Sequence, residues 1–127
     1  MSGQLETLAE IPTFTGDISL DEVDRKASSR DASIFEVMPA GIISPRDTDD
    51  IKTIVQWAIR QHELGYPVHF TPRVGGTCMS GGSLTQGYII DLKRHYNSIG
   101  SVDMTGRSIR VQTGAMHLDV ANKVEAE

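Results

Sequence analysis

Hydrophobic and polar positions change in blocks along residues 41–92, and these blocks predict a strand, a helix and two further strands. Gly41–Ser44 is a short apolar run that ends at Pro45, a residue that cannot donate a hydrogen bond to a sheet. Val68–Thr71 is rich in β-forming residues, and Gly87–Leu92 is a second apolar run. Strands joined through one helix are expected to be parallel and connected right-handedly, so the predicted class is α/β.

The helix between the first two strands has clear boundary signals. Thr48 is the predicted N-cap, and Asp49 and Asp50 place negative charge in the first turn, where the helix dipole favours it. Gly65 is suited to the C-terminal stop, and Pro67 follows it. The predicted apolar face consists of Ile51, Ile54, Val55, Ala58 and Ile59.

The two ends of the chain have weaker patterns. Residues 1–30 are polar and predict a weak helix or two followed by a loop, so we treat them as an N-terminal extension of a domain that spans residues 31–127. Ile99–Asp103 and Ser108–Gln112 alternate around a turn and predict a hairpin. A last amphipathic helix is predicted with a face formed by Leu118, Ala121, Asn122 and Val124.

Composition narrows the function classes. The chain has 127 residues, a net charge of −5 and a pI near 5.3, which disfavours nucleic acid and acidic membranes as partners. We expect no transmembrane segment, because no run approaches the ~18 apolar residues of a membrane span. The N-terminus lacks a secretory pattern and Cys78 is the one cysteine. These features favour a cytoplasmic protein and leave peripheral membrane association open.

Residues 73–82, named here the Gly-rich loop, carry the strongest chemical signal. They follow a predicted strand, at the sheet edge where α/β proteins usually bind ligands. Successive glycines allow main-chain N–H groups to approach an anion closely, and Arg73 adds a charged donor. The glycines are Gly75, Gly76, Gly81 and Gly82, and the hydroxyl donors are Thr77, Ser80 and Ser83. The composition suits a phosphate or a pyrophosphate.

Two familiar phosphate motifs do not fit this loop. A P-loop requires a lysine after its last glycine, and no lysine lies between Lys52 and Lys93. A dinucleotide fingerprint opens a helix, whereas a predicted strand follows Gly82 closely. An anion would therefore be bound by main-chain amides rather than by a helix N-terminus. From spacing alone, a flexible turn between two strands is the favoured interpretation.

Several other residues are weaker candidates for ligand contacts. The four histidines show no metal-ligand spacing, and the segment Arg94–Asn97 is better explained as a turn closed by asparagine. Trp57 lies off the predicted apolar face of its helix, where packing and ligand stacking are both plausible.

Three motifs in register resemble the FAD-binding domain of the vanillyl-alcohol oxidase/p-cresol methylhydroxylase (PCMH) superfamily. The closest likeness is to FAD-linked dehydrogenases of D-2-hydroxy acids, of the D-lactate, glycolate and 2-hydroxyglutarate type, and it spans about residues 31–124. The segment Val111–Ala115 is similar to a later V-x-x-G element of the family. The matching residues are Pro45, Asp50 and Ile51; Pro72, Arg73, Gly75, Gly76, Thr77, Ser80 and Gly81; and Asp91, Leu92, Arg94, Asn97 and Ile99.

The resemblance implies a fold and a cofactor. The expected fold is α/β (α+β), the first subdomain of a PCMH-type domain, with a small mixed or parallel sheet flanked by helices. The Gly-rich loop would hold the FAD pyrophosphate, and the chain would be the N-terminal portion of that domain. The implied cofactor-binding residues are Arg73, Val74, Gly75, Gly76, Thr77, Cys78, Ser80, Gly81 and Gly82.

Two departures from the family pattern sharpen these expectations. Val74 stands where the pattern has glycine, and a β-branched residue fits there without strain only if its φ is negative. Members that attach flavin covalently often have histidine in this loop, whereas Thr77 and Cys78 occupy it here. The resemblance therefore implies noncovalent FAD.

The implied activity is hydride transfer to FAD from a D-2-hydroxy acid, with an electron acceptor in the full-length protein. No catalytic residue can be assigned within this chain, and no metal is implied. The alternative is a truncated nucleotide-diphosphate-binding module without activity of its own.

Overall fold

The computed structural model describes residues 7–127, and a four-stranded mixed sheet lies at its centre. Strands β1 (Asp17–Ser19) and β2 (Gly41–Ser44) are antiparallel, with Ile18 paired to Ile43. Strands β3 (Phe70–Arg73) and β4 (Tyr88–Asp91) are parallel to each other, and β4 is also parallel to β2. The order across the sheet is β1-β2-β4-β3.

The helices and a hairpin complete the described chain. Helix α1 spans Glu22–Ala27, helix α2 spans Thr48–Glu63 and helix α3 spans His117–Glu125. Strands β5 (Ile99–Asp103) and β6 (Ser108–Val111) form a separate antiparallel hairpin. The predicted α/β class and the small mixed sheet flanked by helices are therefore confirmed.

The predicted strands are present, but the bounds of β3 and the order of the strands in the sheet differ from the prediction. β3 begins two residues later than predicted and includes Pro72, which an edge strand tolerates because one of its sides has no ladder to join. β2 and β3 are parallel, as predicted, but β4 lies between them. The right-handed connection stays a prediction.

The N-terminal segment was predicted without its strand. Residues 7–9 are helical, β1 adds an antiparallel edge to the sheet, and Leu8 is fully buried in the core. A three-residue strand has too short a pattern to be recognised locally. The proposed division of the chain at residue 30 stays a prediction.

The hydrophobic core lies between helix α2 and the sheet. Trp57 is 1% exposed and its ring lies 6.3 Å from Phe70 and 6.4 Å from Tyr88, centroid to centroid. Its indole Nε1 donates a hydrogen bond to the Thr7 hydroxyl at 3.0 Å. The fully or almost fully buried cluster contains Leu8, Ile43, Ile54, Trp57 and Tyr88.

The predicted apolar face of α2 was partly wrong. Val55 and Ile59 are 50% and 53% exposed, whereas Trp57, placed off the predicted face, is in the core. Asp50 and Thr53 are buried because the segment Thr13–Thr15 crosses this face and forms hydrogen bonds with them. The buried face of α2 is thus rotated from the predicted one and includes Asp50 and Thr53, whose hydrogen bonds come from the N-terminal segment.

Helix ends gave one correction and one confirmation. The N-cap of α2 is Asp47, not Thr48, because the extended Asp47 backbone lets its carboxylate accept the Asp50 N–H at 2.8 Å. Thr48 is the first helical residue, and its hydroxyl lies 3.0 Å from the Tyr96 hydroxyl. Gly65 has φ of +85°, as a C-terminal stop requires.

The predicted last helix is present, at His117–Glu125, but its predicted amphipathic face is not buried. In α3, which lies wholly within the described chain, no residue is buried, and Leu118 is 69% exposed. Between residues 7 and 127 no helix combines the length and apolar character needed to cross a bilayer.

Candidate functional site: the Gly-rich loop

The Gly-rich loop begins at the carboxyl end of edge strand β3. Arg73 is paired with Asp91 at the end of β4, and the parallel β2 ends at Ser44 on the same side of the sheet. Loops at this edge are the usual ligand positions of α/β sheets. The fold therefore places the loop where the sequence predicted it.

The main-chain amides of the loop are free of partners within the described chain. Among residues 7–127, no hydrogen bond is donated by the main-chain N–H groups of residues 74–82. The loop ends in a turn in which the Leu84 N–H donates to the Gly81 carbonyl at 3.0 Å. Since buried or ligand-facing N–H groups need acceptors, this run of free donors is suited to an anion.

The loop backbone uses its glycines unequally. Gly76 and Gly81 have φ of +63° and +80°, in the left-handed region that glycine tolerates best. Val74 has no such requirement, because among residues 7–127 Arg107 is the one non-glycine residue with positive φ. Valine in the family's glycine position is therefore accommodated without left-handed strain.

Arg73 directs its guanidinium toward the protein. Nη2 donates to the Arg30 carbonyl at 2.7 Å, and Nη1 donates to the Ser28 carbonyl at 3.3 Å. Nη1 also lies 3.5 Å from the Ser83 hydroxyl. The sequence suggested a charged donor for an anion, whereas the structure shows two of its nitrogens engaged with residues 28–30 and Ser83.

Ser83 joins the loop to the same segment from its other end. It is 4% exposed, and its hydroxyl donates to Asp31 Oδ2 at 3.2 Å. Asp31 Oδ1 accepts the Ser33 N–H at 2.9 Å. Hydrogen bonding from Ser33, with smaller contributions from the Ser83 hydroxyl and the Arg73 charge, lowers the pKa of Asp31 below its ordinary value.

The polar side chains of the loop face solvent to different degrees. Thr77, Cys78 and Ser80 are exposed, and the Cys78 thiol is free. Gly75 and Gly82 are also exposed, so main chain as well as hydroxyl groups are accessible. These residues could contact a ligand without first displacing a neighbour.

A charged cluster lies near the other edge of the sheet. His95 Nε2 lies 2.5 Å from Asp17 Oδ2, and the guanidinium groups of Arg94 and Arg46 approach the same carboxylate at 3.4 and 3.5 Å. The hydrogen bond from His95 lowers the pKa of Asp17, and the two arginine charges act in the same direction. Asn97 Nδ2 donates to the Lys93 carbonyl at 2.8 Å, which closes the turn predicted there.

Asp31 is the site residue that sequence reasoning missed. It lies 52 positions from Ser83, and no local pattern marks it as a partner of the loop. Only the folded structure reveals the role of Asp31, because the fold brings residues 28–31 beside the end of β3.

The chain matches a known family over most of its length. The sequence profile described as an FAD binding domain covers residues 39–127. The chain therefore belongs to this family of FAD-binding domains, as the three motifs predicted.

The relatives that it resembles are named as dehydrogenases or as an oxidase subunit. D-2-hydroxyglutarate dehydrogenase of Pantoea ananatis is 39% identical over 113 residues, which cover 88% of this chain and 11% of that enzyme. The Escherichia coli enzyme of the same name is 36% identical over 81% of this chain and 10% of its own length. Glycolate oxidase subunit GlcD of Bacillus subtilis is 33% identical over 73% of this chain and 19% of its own.

A solved structure shares the fold at low identity. Alkyldihydroxyacetonephosphate synthase superposes with a TM-score of 0.78 and 18% identity, covering 99% of this chain and 25% of its own. This likeness shows the fold alone. The chain spans about a tenth of the length of the D-2-hydroxyglutarate dehydrogenases it matches.

Proposed function

We propose that the Gly-rich loop holds the pyrophosphate of FAD, with main-chain amides as the principal donors. The observation that carries this proposal is the run of main-chain N–H groups, residues 74–82, that have no acceptor among the described residues. A pyrophosphate offers several oxygens to main-chain donors, and glycine lets the two come close. The exposed hydroxyls of Thr77 and Ser80 would add donors. Family membership supports FAD as the nucleotide.

The flavin in this proposal is noncovalent. Histidine does not occur between Arg73 and Gly82, and Cys78 carries the one thiol of the loop. The yellow colour should therefore pass into the supernatant when reconstituted protein is precipitated with acid. Flavin retained in the pellet of the parent and lost in Cys78→Ser would contradict this part of the proposal.

For the full-length protein we propose oxidation of a D-2-hydroxy acid. The relatives named D-2-hydroxyglutarate dehydrogenase and glycolate oxidase subunit support this substrate class. Bound FAD would supply the hydride acceptor, and a separate electron acceptor would reoxidise it. This chain's share is to bind and orient the nucleotide, in a protein that we place in the cytoplasm.

Calorimetric titration with FAD and with ADP tests the site. The decisive variant is Gly75→Val, because a Cβ at Gly75 meets only the Thr77 methyl at 3.6 Å and needs no positive φ. The variant should melt like the parent but bind ADP at least tenfold more weakly, because its side chain blocks close approach to the amides.

A second pair of variants distinguishes the loss of a loop hydroxyl from the loss of an exposed hydroxyl elsewhere. Thr77→Val should weaken binding several-fold through the lost hydroxyl, whereas Thr113→Val, at an exposed position after β6, should not. A parent chain that binds neither FAD nor ADP, or a Gly75→Val variant with unchanged affinity, would refute the proposed site.

The alternative is a nucleotide-diphosphate module without activity of its own. It is favoured by the same free amides, because they recognise a pyrophosphate rather than a flavin ring. Under this alternative ADP and FAD bind the chain with similar affinity, and FAD added to it is not reduced by D-2-hydroxy acids. Flavin reduction by the 127-residue chain would contradict it.

A further inference from the structure

The two ends of the Gly-rich loop are fastened to one segment of the chain. Arg73, at the start, donates to the carbonyls of Ser28 and Arg30. Ser83, just after the end, donates to the Asp31 carboxylate. The Arg73 and Ser83 side chains also lie 3.5 Å apart, although ten positions separate them in sequence. The amides of residues 74–82 are thus held between two fixed points.

The Arg73 guanidinium also contacts the loop backbone at Gly76 and restricts its position. A Cβ built on Gly76 would lie 2.2 Å from Arg73 Nη2 and 2.6 Å from Cζ. The loop backbone at Gly76 therefore rests against the planar guanidinium. A planar fork that spans two carbonyls and supports the backbone acts as a rigid spacer, which a flexible ammonium group cannot replace.

The charge of Asp31 opposes simple anion attraction. Its carboxylate lies against Ser83, beside a loop that would bind a doubly negative group. Electrostatics alone would favour its removal, because like charges repel. Its hydrogen bonds to Ser83 and Ser33 instead fix the relation between the loop and the segment 28–33.

We infer that Asp31, Ser83 and Arg73 form a loop clamp that positions the free amides, and that Arg73 acts through geometry rather than by contacting phosphate. The inference rests on the proposed function for the identity of the ligand. Its geometric part concerns the ligand-free loop and can be measured without any ligand.

The sign of the Asp31→Asn effect on ADP affinity tests the clamp. If the clamp positions the amides, removing this negative charge weakens ADP binding about five- to tenfold. If the loop binds by charge alone, the same change leaves affinity unchanged or tightens it, which would overturn the inference. Asp49→Asn, which removes an exposed carboxylate elsewhere, is the matched control and should not weaken binding.

A double-mutant cycle tests whether Asp31 and Ser83 act together. Ser83→Ala should weaken ADP binding like Asp31→Asn, and the double variant should be little worse than either single variant. Fully additive effects would show two independent contributions and would reject the clamp.

Arg73→Lys separates charge from geometry. This variant keeps the positive charge and loses the fork, so we expect a loss of affinity comparable to that of Asp31→Asn. Arg60→Lys, on the exposed side of α2, is the control. Parent-like affinity of Arg73→Lys at low and high salt would mean that charge suffices, against the inference.

Ligand-free measurements keep failure of the clamp distinct from failure of the proposed function. The rate at which a thiol reagent modifies Cys78, and the chemical shifts of the amides of residues 75–82, should both change in Asp31→Asn and Ser83→Ala. Melting temperatures and Trp57 emission identify any variant that has lost its fold. If Asp31→Asn or Ser83→Ala is unfolded, the other of the two tests the clamp. Unchanged loop shifts and an unchanged Cys78 rate in a folded variant would reject the clamp, whether or not the parent binds ADP.

Discussion

Asp50 shows how one residue can serve several parts of a small fold. It is 1% exposed, and its carboxylate accepts the Thr15 N–H at 2.7 Å and the Arg46 N–H at 2.8 Å. The Thr15 hydroxyl donates to the same group at 3.2 Å. Asp50 therefore joins the N-terminal segment, the turn after β2 and the first turn of α2.

Replacing Asp50 with alanine should destabilise the protein strongly. Hydrogen bonds to a charged group contribute about 1.5–3 kcal/mol each, and Asp50 accepts two that are partly buried, so we expect the free energy of unfolding to fall by roughly 2–4 kcal/mol. Urea denaturation measures this, with Asp49→Ala as control, because the Asp49 side chain is 80% exposed. A loss no larger than that of the control would contradict the role assigned to Asp50.

Gly75 and Gly76 offer a matched pair for the loop backbone. Gly76→Ala should lower the free energy of unfolding by roughly 1–2 kcal/mol, because alanine is strained at φ of +63° and its Cβ would displace Arg73. Gly75→Ala meets only the Thr77 methyl and should fall within about 0.5 kcal/mol of the parent. Thermal melts of the two variants check the difference, and equal melting temperatures would argue against this loop conformation.

At the scale of elements, the segment that follows α1 is braced by one acidic residue. Glu36 forms ion pairs with Lys26 and Arg30, and the Ser29 hydroxyl donates to it at 3.2 Å. The Val37 N–H donates to the Ser29 carbonyl at 2.8 Å. This bracing holds the carbonyls of residues 28 and 30 where Arg73 contacts them.

The brace predicts a pH dependence of stability. Hydrogen bonds from Lys26 and then Arg30 lower the pKa of Glu36 from 4.5 to about 2. A lowered folded-state pKa means that the contribution is complete above about pH 4.5 and is lost as pH falls toward 2. Melting temperatures of the parent and Glu36→Gln should therefore converge between pH 4.5 and 2.

Salt provides the control for this prediction. The Lys26 side chain is 60% exposed and the Arg30 side chain 70%, so added salt should weaken both ion pairs. The difference between parent and Glu36→Gln at neutral pH should shrink in 1 M salt. A difference that persists unchanged at pH 2 would show that the ion pairs are not its source.

For the whole molecule, burial is concentrated in one part of the chain. All four residues of β2 are buried, and β4 begins with buried Tyr88 and Ile89. Strands β5 and β6 contain only half-buried and exposed residues, and α3 has no buried residue within the described chain. The central sheet should therefore be more stable than the C-terminal part.

Amide hydrogen exchange should reveal this gradient. Amides of β2 and β4 should open only by global unfolding, while those of α3 should exchange by local opening at least a hundredfold faster. Exchange monitored residue by residue by NMR is the measurement. Protection of α3 equal to that of β4 would show that the C-terminal part belongs to the same cooperative unit.

Local patterns predicted what depends on neighbours along the chain. The strands at residues 41–44 and 88–91, the helix at 48–63 and the hairpin at 99–111 each follow from their own periodicity and turn residues. The burial of Trp57 was missed because it depends on contact with the N-terminal segment, which no local pattern connects to α2. Strand β1 was missed because it forms only by pairing with β2, more than twenty residues later in the chain.

The sequence by itself determined the family, the α/β class and the position of the glycines after β3, because motif spacing and hydrophobic period are properties of consecutive residues. Only the tertiary structure decided that Arg73 contacts main-chain carbonyls and that Asp31 meets Ser83 across 52 positions. Such contacts depend on how the fold places residues 28–31 beside the end of β3. The partner of a carboxylate or a guanidinium cannot be predicted from neighbouring residues, because the two groups meet only in the folded chain.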